Sequence, residues 1–558
     1  MVVKALVIGV YFAVLITIGL LAKRRARKGS EDFFLASRSL SPGLLFLTMA
    51  ATNFSAFTVF GFSGAGWRIG YAFYPIMAFG TGFMALMYLV LGRPVWRLGK
   101  EKGLVTPPEL VLDLLGSRSL RYLVLAVMVA FTLPYLAMQP MAAGYALEEL
   151  LGLPYAVGAA AMTLIMLGYV LLGGLRGEAW ADALQGVLML VFLSVALGVV
   201  AGQHGGLTAA NRAAAEAFPA HFSRPGAGGA FPPGVWLGYL LLWLFCDPMF
   251  PQLFQRFYAA RSGRALSWTA TLYPLITGGL FLLPVAIGVI GRLSFPTLEA
   301  GTSSDRILPL LMGQAPGAVE ALVAVAGLAA LMSTLDSQLL SVSSMVSRDV
   351  VEPILVRRGR KAVGGAWTTK GIVALLAGAG LLIALRPSQT FLGIATEAFT
   401  GLAVLFPTFL AAVYWRRTTP AGAIASILVG EGLVAGYHFG LLPRLGTLPV
   451  VPIVAGATLV LVGVSLLTRR SQEARTVPFR VRPLGLLAAA ACLGLFVLAN
   501  DVWAWGDARL GPLGFPWWVW YSLGLCVLTS VLFGAIGRWL DRNEGGAVPR
   551  DGSGSLGV

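Results

Sequence analysis

The chain has 558 residues, of which 57% are hydrophobic and only 12% are charged, and its mean hydropathy is +0.80. A soluble domain carries roughly a quarter charged residues, so this composition excludes an ordinary soluble protein and predicts an all-α, polytopic membrane protein. The formal net charge is +16, but the Lys and Arg residues lie in short loops between apolar segments, which indicates membrane topology and no nucleic-acid binding.

Apolar segments near twenty residues long recur from one end of the chain to the other, and we predict fifteen membrane spans. The first is a retained span and not a signal peptide, because the basic run 23–28 follows it directly. The predicted limits are 3–22, 43–62, 71–92, 119–141, 153–173, 179–201, 234–256, 266–292, 316–345, 368–386, 391–414, 420–440, 447–467, 482–500 and 518–538.

The loops after odd-numbered spans carry the basic residues, and the loops after even-numbered spans are poorer in cations. The positive-inside rule then predicts an N-terminus outside and a C-terminus in the cytoplasm of a multi-pass protein of the cell membrane. Examples of the basic loops are 23–28, 93–102, 261–264, 357–361, 416–417 and 469–470.

Two of the predicted spans contain features that interrupt a helix. Span two has a small and polar patch at 50–56, and span seven has Pro248 and Pro251 on either side of its middle. Interrupted helices at matching positions, here five spans apart, indicate a transporter with inverted repeats and a binding site between them. The alternative is a pair of ordinary kinks, since Gly and Pro are frequent in membrane helices.

Span nine places the hydroxyls of Ser333 and Thr334 and the carboxylate of Asp336 in an apolar stretch. Polar oxygens at that depth are costly unless they have a use, and a monovalent cation is a ligand that hydroxyls and backbone carbonyls suit. The alternative for the two hydroxyls is hydrogen bonding to carbonyls of the preceding turn. Asp336 lies about 200° around the helix from Thr334 and therefore faces elsewhere.

Four motifs, in this order, resemble those of the solute:sodium symporter family, which includes sodium/glucose, proline and pantothenate carriers. The resemblance covers about residues 3–467. The motifs are 51–55 with 61–64, 169–176 with 180–185, 255–257, and 330–337.

The resemblance implies a LeuT-type core of two inverted five-helix repeats with flanking helices. The implied divisions are a first span and basic loop (1–42), the first repeat (43–201), the second repeat (234–415), C-terminal spans (416–540) and a short disordered cytoplasmic tail (541–558).

The resemblance also implies a sodium site between the second and ninth spans. The implied ligands are the backbone carbonyls of Ala51, Phe54 and Ala330 and the hydroxyls of Ser333 and Thr334. Asp182 matches an acidic residue on the family's sodium route to the cytoplasm, although it could equally be a carboxylate at a helix N-terminus.

Family members place substrate contacts in the second broken helix, which here contains Asp247. This carboxylate could bind a cationic group, relay a proton or pair with a buried partner. The other predicted substrate contacts are Asn53, Ser55, Phe250 and Gln252. The glutamine of the sugar carriers corresponds to Ala395, so the motifs favour a carboxylate-bearing solute such as a vitamin acid, a monocarboxylate or an amino acid over a sugar.

The sequence thus predicts a Na⁺-coupled importer of a small organic solute, which is not an enzyme and acts in the lipid bilayer as a monomer or weak oligomer. One alternative is proton coupling on the same fold. Another is a transporter-like solute sensor, and a third is a channel, for which no repeated filter-like loop is seen. Titratable groups available for proton coupling are Asp182, Asp247, Asp336 and Glu397.

Overall fold

The computed structural model describes residues 2–25, 30–299, 303–315, 317–358, 366–387, 389–469, 483–507 and 509–544. Within these residues, eleven helices are long and apolar enough to cross a membrane, two further spans are bent helix pairs, and two shorter apolar helices complete the set. Each of the fifteen predicted spans lies on one of them, which confirms the all-helical polytopic fold.

We number these helices in chain order. They are α1 (Val2–Arg25), α2 (the pair Pro42–Asn53 and Phe57–Ile69), α3 (Phe73–Lys102), α4 (Arg118–Leu151), α5 (Tyr155–Gly168), α6 (Gly174–Gly202), α7 (the pair Pro233–Met249 and Pro251–Ala259), α8 (Gly263–Ser294), α9 (Gly317–Arg357), α10 (Ala366–Ala384), α11 (Phe391–Tyr414), α12 (Pro420–His438), α13 (Val450–Leu467), α14 (Pro483–Leu498) and α15 (Trp517–Glu544). Shorter helices between them include Ser30–Leu35, Pro107–Leu115, Leu207–Ala217 and Ile307–Gly313.

Both predicted interruptions are present. The two halves of α2 meet at an angle of 60°, and those of α7 meet at 54°. In α7 the break follows from Pro251, because proline cannot donate the backbone hydrogen bond that would continue the helix. Each broken helix is the first of a set of five helices, α2–α6 and α7–α11, as expected of inverted repeats. The exact boundaries of the repeats stay a prediction.

A glycine separates α5 from α6. Gly174 has φ 54° and ψ −170°, a conformation that residues with a side chain rarely adopt. The turn lets α6 pack against the first half of α2 and against α9. This placement brings the acidic residues of α6 to the centre of the protein.

Helix α8 crosses the second half of α2 (Phe57–Ile69) with backbone against backbone. A Cβ atom on Gly288 would fall directly on the carbonyl oxygen of Ser63 and would lie 2.8 Å from the amide nitrogen of Trp67. A Cβ atom on Gly66 would likewise meet the main chain of Val285. Glycine is therefore required on both sides of this crossing.

Several predicted segments lie wholly or partly outside the described residues. They are residues 26–29 of the first basic loop, the loop residues 359–365, and the stretch 470–482. The predicted disordered tail at 541–558 begins too early, because α15 continues to Glu544. Residues 545–558 lie outside the described part of the chain.

Candidate functional site

The break in α2 removes the helical partners of four successive carbonyl groups. The amide of Ser55 donates to Asn53 at 3.1 Å instead of to Ala51, and the amide of Thr58 donates to Ser55 at 2.9 Å instead of to Phe54. The amide of Ala56, which would otherwise bond Thr52, donates to Gln139 Oε1 at 3.2 Å.

The fourth carbonyl of the break is that of Asn53. Its helical partner would be the amide of Phe57, which donates to Ser55 Oγ at 3.1 Å. Carbonyls 51–54 therefore sit at a broken helix end without their usual i+4 donors. That of Asn53 accepts the Ser55 amide instead, and those of Ala51, Thr52 and Phe54 are available to a cation or to another helix.

Hydroxyl groups of α9 meet two of these carbonyls. Ser333 Oγ lies 2.9 Å from the carbonyl oxygen of Ala51 and 3.0 Å from that of Ala330. Thr334 Oγ1 donates to the carbonyl oxygen of Thr52 at 3.0 Å. All five residues are buried.

The structure thus brings together the Ala51, Ala330 and Ser333 oxygens of the predicted ligand set. Thr334 reaches the same break through Thr52, a residue that the sequence analysis did not single out. The Phe54 carbonyl has lost its helical donor at this break. Back-bonding within α9 is found for Ser333 as well, but the Thr334 bond goes to another helix.

A buried charge network adjoins these oxygens on the side of α6. Arg256 Nη2 lies 2.6 Å from Glu178 Oε1, 3.0 Å from Asp182 Oδ2 and 2.9 Å from Ser337 Oγ. The guanidinium Nε donates to Thr48 Oγ1 at 3.0 Å. The network joins α2, α6, α7 and α9 across the protein interior.

Asp182 is therefore a member of a central network and not a carboxylate at a helix N-terminus. It accepts hydrogen bonds from Thr48 Oγ1 at 2.5 Å and from Thr52 Oγ1 at 3.2 Å. Thr52 consequently connects the two regions, since its carbonyl faces Thr334 and its hydroxyl faces Asp182. Asp336 is also buried, and one of its oxygens accepts the backbone amide of Ser337 at 2.8 Å.

A cavity lies beside the breaks of α2 and α7. Its volume, counted as space for the centres of water-sized spheres, is about 20 Å³, which is room for about one water molecule, so a solute can enter only when the lining residues move apart. Three predicted substrate contacts, Asn53, Asp247 and Phe250, line it, and Ser55 and Gln252 are not among its lining residues. The lining residues are Asn53, Phe57, Thr58, Phe62, Met77, Thr81, Tyr135, Trp243, Asp247, Phe250, Phe281 and Phe399.

The Asp247 carboxylate has only long contacts. Cys246 Sγ lies 3.3 Å from Oδ1, and Asn53 Nδ2 lies 3.3 Å from Oδ2. The Asn53 amide makes a shorter bond of 2.8 Å to the Tyr273 hydroxyl. Among the described residues no cationic side chain forms an ion pair with Asp247, in contrast to Asp182.

A short segment between α8 and α9, residues 303–306, contacts the end of α2 and the start of α11. Arg68, at the end of α2, donates to Ser304 Oγ at 2.9 Å, and Asp305 accepts the backbone amide of Phe391 in α11 at 2.7 Å. Burial raises the pKa of Asp305 to about 6. The segment thus links α2 to α11, a contact that no sequence pattern predicts.

Comparison with known proteins was made on sequence and on structure. A model of the family described as "Sodium:solute symporter family" matches residues 33–430. The Sodium/glucose cotransporter of Vibrio parahaemolyticus is 27% identical, covering 78% of this chain and 84% of its own. The Sodium/pantothenate symporter of Escherichia coli (strain K12) is 26% identical, covering 79% and 92%, and the Sodium/proline symporter of Staphylococcus aureus (strain JH9) is 26% identical, covering 77% and 84%.

Two solved structures share the fold. A substrate-bound, outward-open Na⁺-coupled sialic acid symporter superposes with a TM-score of 0.72 at 17% identity, covering 84% of this chain and 99% of that one. The nucleobase-cation-symport-1 family transporter Mhp1, in a closed conformation, gives a TM-score of 0.54 at 13% identity and covers 79% and 95%. These likenesses confirm the LeuT-type architecture that the sequence motifs imply.

Proposed function

The chain belongs to the sodium:solute symporter family, and from this premise we propose that its coupling Na⁺ binds where the broken helix α2 meets α9. The proposed ligands are the carbonyl oxygens of Ala51, Phe54 and Ala330 and the hydroxyls of Ser333 and Thr334. One observation carries the proposal: the carbonyls of Ala51 and Thr52, which lack helical donors, face the adjacent hydroxyls of Ser333 and Thr334 at 2.9 and 3.0 Å.

The protein is a multi-pass membrane transporter that couples the transport of a solute to that of sodium, as the names of its family and relatives indicate. Membership of this family supports sodium, and not the proton, as the coupling ion. Inward movement of one such charge contributes roughly 2.3 kcal/mol for each 100 mV of membrane potential.

The proposed ion site and the proposed solute site share one structural element. The break in α2 frees the carbonyls of residues 51–54, and the same break presents the Asn53 side chain to the cavity. An ion that fixes the conformation of this break also fixes the position of Asn53 and of the Asp247 carboxylate beside it. Coupling of this kind is reciprocal, so the solute must raise the affinity for Na⁺ by the factor that Na⁺ raises the affinity for the solute.

We further propose that the protein imports its solute across the plasma membrane as a monomer or weak oligomer, with the N-terminus outside and the C-terminus in the cytoplasm. The alternation of basic loops supports this orientation. The cluster of Arg256, Glu178 and Asp182 lies beside the ion site, and we propose Asp182 as the first carboxylate that Na⁺ meets on its way inward.

Replacing Thr334 by alanine is expected to raise the Kd for Na⁺ about tenfold or more. The change removes a hydroxyl ligand of the ion, and an interaction with a charged group contributes about 1.5–3 kcal/mol. The measurement is ²²Na⁺ binding to the purified full-length protein, which needs no knowledge of the solute.

The matched control is Ser341→Ala in the same helix. Ser341 is buried like Thr334, but its hydroxyl donates to Gln338 of its own helix at 3.1 Å. Sodium binding by this variant should equal that of the parent protein. An unchanged Kd in the Thr334 variant, with a normal folded yield, would contradict the ligand assignment.

A further inference from the structure

The carboxylate of Asp247 lines a cavity and, unlike those of Glu178 and Asp182, has no compensating cation among the described residues. Its side chain belongs to a residue only 2% exposed, and its two side-chain contacts are both 3.3 Å long, one of them from a thiol. By contrast, Glu178 and Asp182 lie within 3.0 Å of the Arg256 guanidinium. A buried charge is costly unless an opposite charge or strong hydrogen bonds compensate it, so the Asp247 site calls for a positive ligand.

The walls of the cavity around Asp247 are aromatic. Ring centroids of Tyr135 and Phe250 lie 5.4 Å apart, those of Tyr135 and Phe399 lie 4.9 Å apart, and those of Phe250 and Phe399 lie 4.8 Å apart. Trp243 extends this wall at 5.5 Å from Phe399. The faces of such rings carry negative charge density and attract cations, quaternary ammonium groups above all.

The composition of the cavity lining disfavours binding of a simple anion. The lining residues include no Lys, Arg or His to neutralise a carboxylate. They do include hydrogen-bond donors, because the indole nitrogen of Trp243 has no hydrogen-bond partner among the described residues and Thr58 and Thr81 also line the cavity. When the cationic group of a solute is bound at Asp247, these donors can therefore form hydrogen bonds with a hydroxyl of the solute or with the carboxylate of a zwitterion.

Resting on the proposed function, we infer that the transported solute carries an alkylated ammonium group, which binds to the Asp247 carboxylate inside the cage of Tyr135, Trp243, Phe250 and Phe399. The Asn53 amide, bonded to Tyr273 at 2.8 Å, holds the carboxylate from the α2 side. This narrows the solute classes suggested by the sequence motifs: an amino acid or a betaine has a cationic group to pair with Asp247, and a vitamin acid or monocarboxylate without a cationic group does not.

The test uses two pairs of compounds that differ only in one charged atom. Choline is compared with 3,3-dimethyl-1-butanol, and glycine betaine with 3,3-dimethylbutanoate; in each pair a quaternary nitrogen is replaced by carbon. Binding to the purified full-length protein is measured in saturating NaCl, by the shift in melting temperature and by quenching of tryptophan fluorescence. We expect at least one trimethylammonium compound to bind about tenfold or more tightly than its tert-butyl counterpart.

The variant Asp247→Asn should reduce the preference for the trimethylammonium compound about fivefold or more, because only the ring faces then distinguish nitrogen from carbon. The control is Glu431→Gln, which removes a carboxylate from the membrane helix α12 outside the cavity lining and should preserve the preference. Comparison of the paired compounds on the parent protein needs no variant, so a misfolded Asp247 variant would still leave a decisive result.

Equal binding of both members of each pair, or binding of neither quaternary compound, would overturn the inference. Retained ²²Na⁺ binding in that same preparation would leave the proposed sodium site standing. Absence of Na⁺ binding by the parent protein would instead refute the sodium site, whatever the solute result.

Discussion

Replacement of Arg256 by methionine is expected to lower the melting temperature strongly and to abolish most of the folded protein. The guanidinium is 1% exposed and is the cation shared by Glu178 and Asp182 at 2.6 and 3.0 Å. Removing one partner of a buried ion pair leaves an uncompensated charge, at a cost of about 3–5 kcal/mol. The measurement is the folded yield and melting temperature of the detergent-solubilised protein, followed by fluorescence-detected size-exclusion chromatography.

Neutralising Glu178 and Asp182 as well tests whether their uncompensated charge causes the loss of stability. The triple variant Arg256→Met, Glu178→Gln, Asp182→Asn should recover most of the lost stability, since a buried network can often be replaced by neutral groups without a net loss. Arg509→Met is the control, because Arg509 forms its ion pair with Asp507 at an exposed loop and should be dispensable. A stable Arg256 variant, or a triple variant no better than the single one, would argue against this role.

Replacement of Gly288 by alanine is expected to disrupt the crossing of α8 with the second half of α2. The added methyl group would fall on the Ser63 carbonyl and lie 2.8 Å from the Trp67 amide, and neither backbone group can rotate away as a side chain would. Overpacking of this kind costs typically about 1–3 kcal/mol, and more where the obstacle is main chain. A lower melting temperature and a lower folded yield should result.

The control for this substitution lies on the same helix. A Cβ atom on Gly279 would meet nothing within 4 Å, so Gly279→Ala should be neutral or slightly stabilising. If both variants melted at the same temperature as the parent protein, the close approach of α8 and α2 would not be a constraint on the fold.

The parts of the structure that could be predicted from sequence are those governed by local composition. Apolar length fixed the helices, and Pro248 and Pro251 marked the break in α7 because proline lacks an amide donor. The polar patch at 50–56 marked the break in α2. The hydroxyls of Ser333 and Thr334 stood out because polar atoms are rare at that depth.

Contacts between distant helices left no such pattern. Nothing in the sequence assigns the Ala56 amide to Gln139 or the Thr334 hydroxyl to the carbonyl of Thr52, since these pairs depend on how helices are placed in space. The position of Asp182 was open for the same reason. Its central place depends on the turn at Gly174, where α6 begins as a separate helix.

The Ser333 and Thr334 hydroxyls, as proposed Na⁺ ligands, also have a consequence for the step in which the transporter returns without ion or solute. Each hydroxyl can aim its proton at a carbonyl of α2 when no Na⁺ is present, and can turn a lone pair toward the ion when it is. In the proposed site these hydroxyl protons would keep α2 and α9 joined while the protein without Na⁺ returns to face outward. Ligands that were carboxylates would instead repel one another and stall that return.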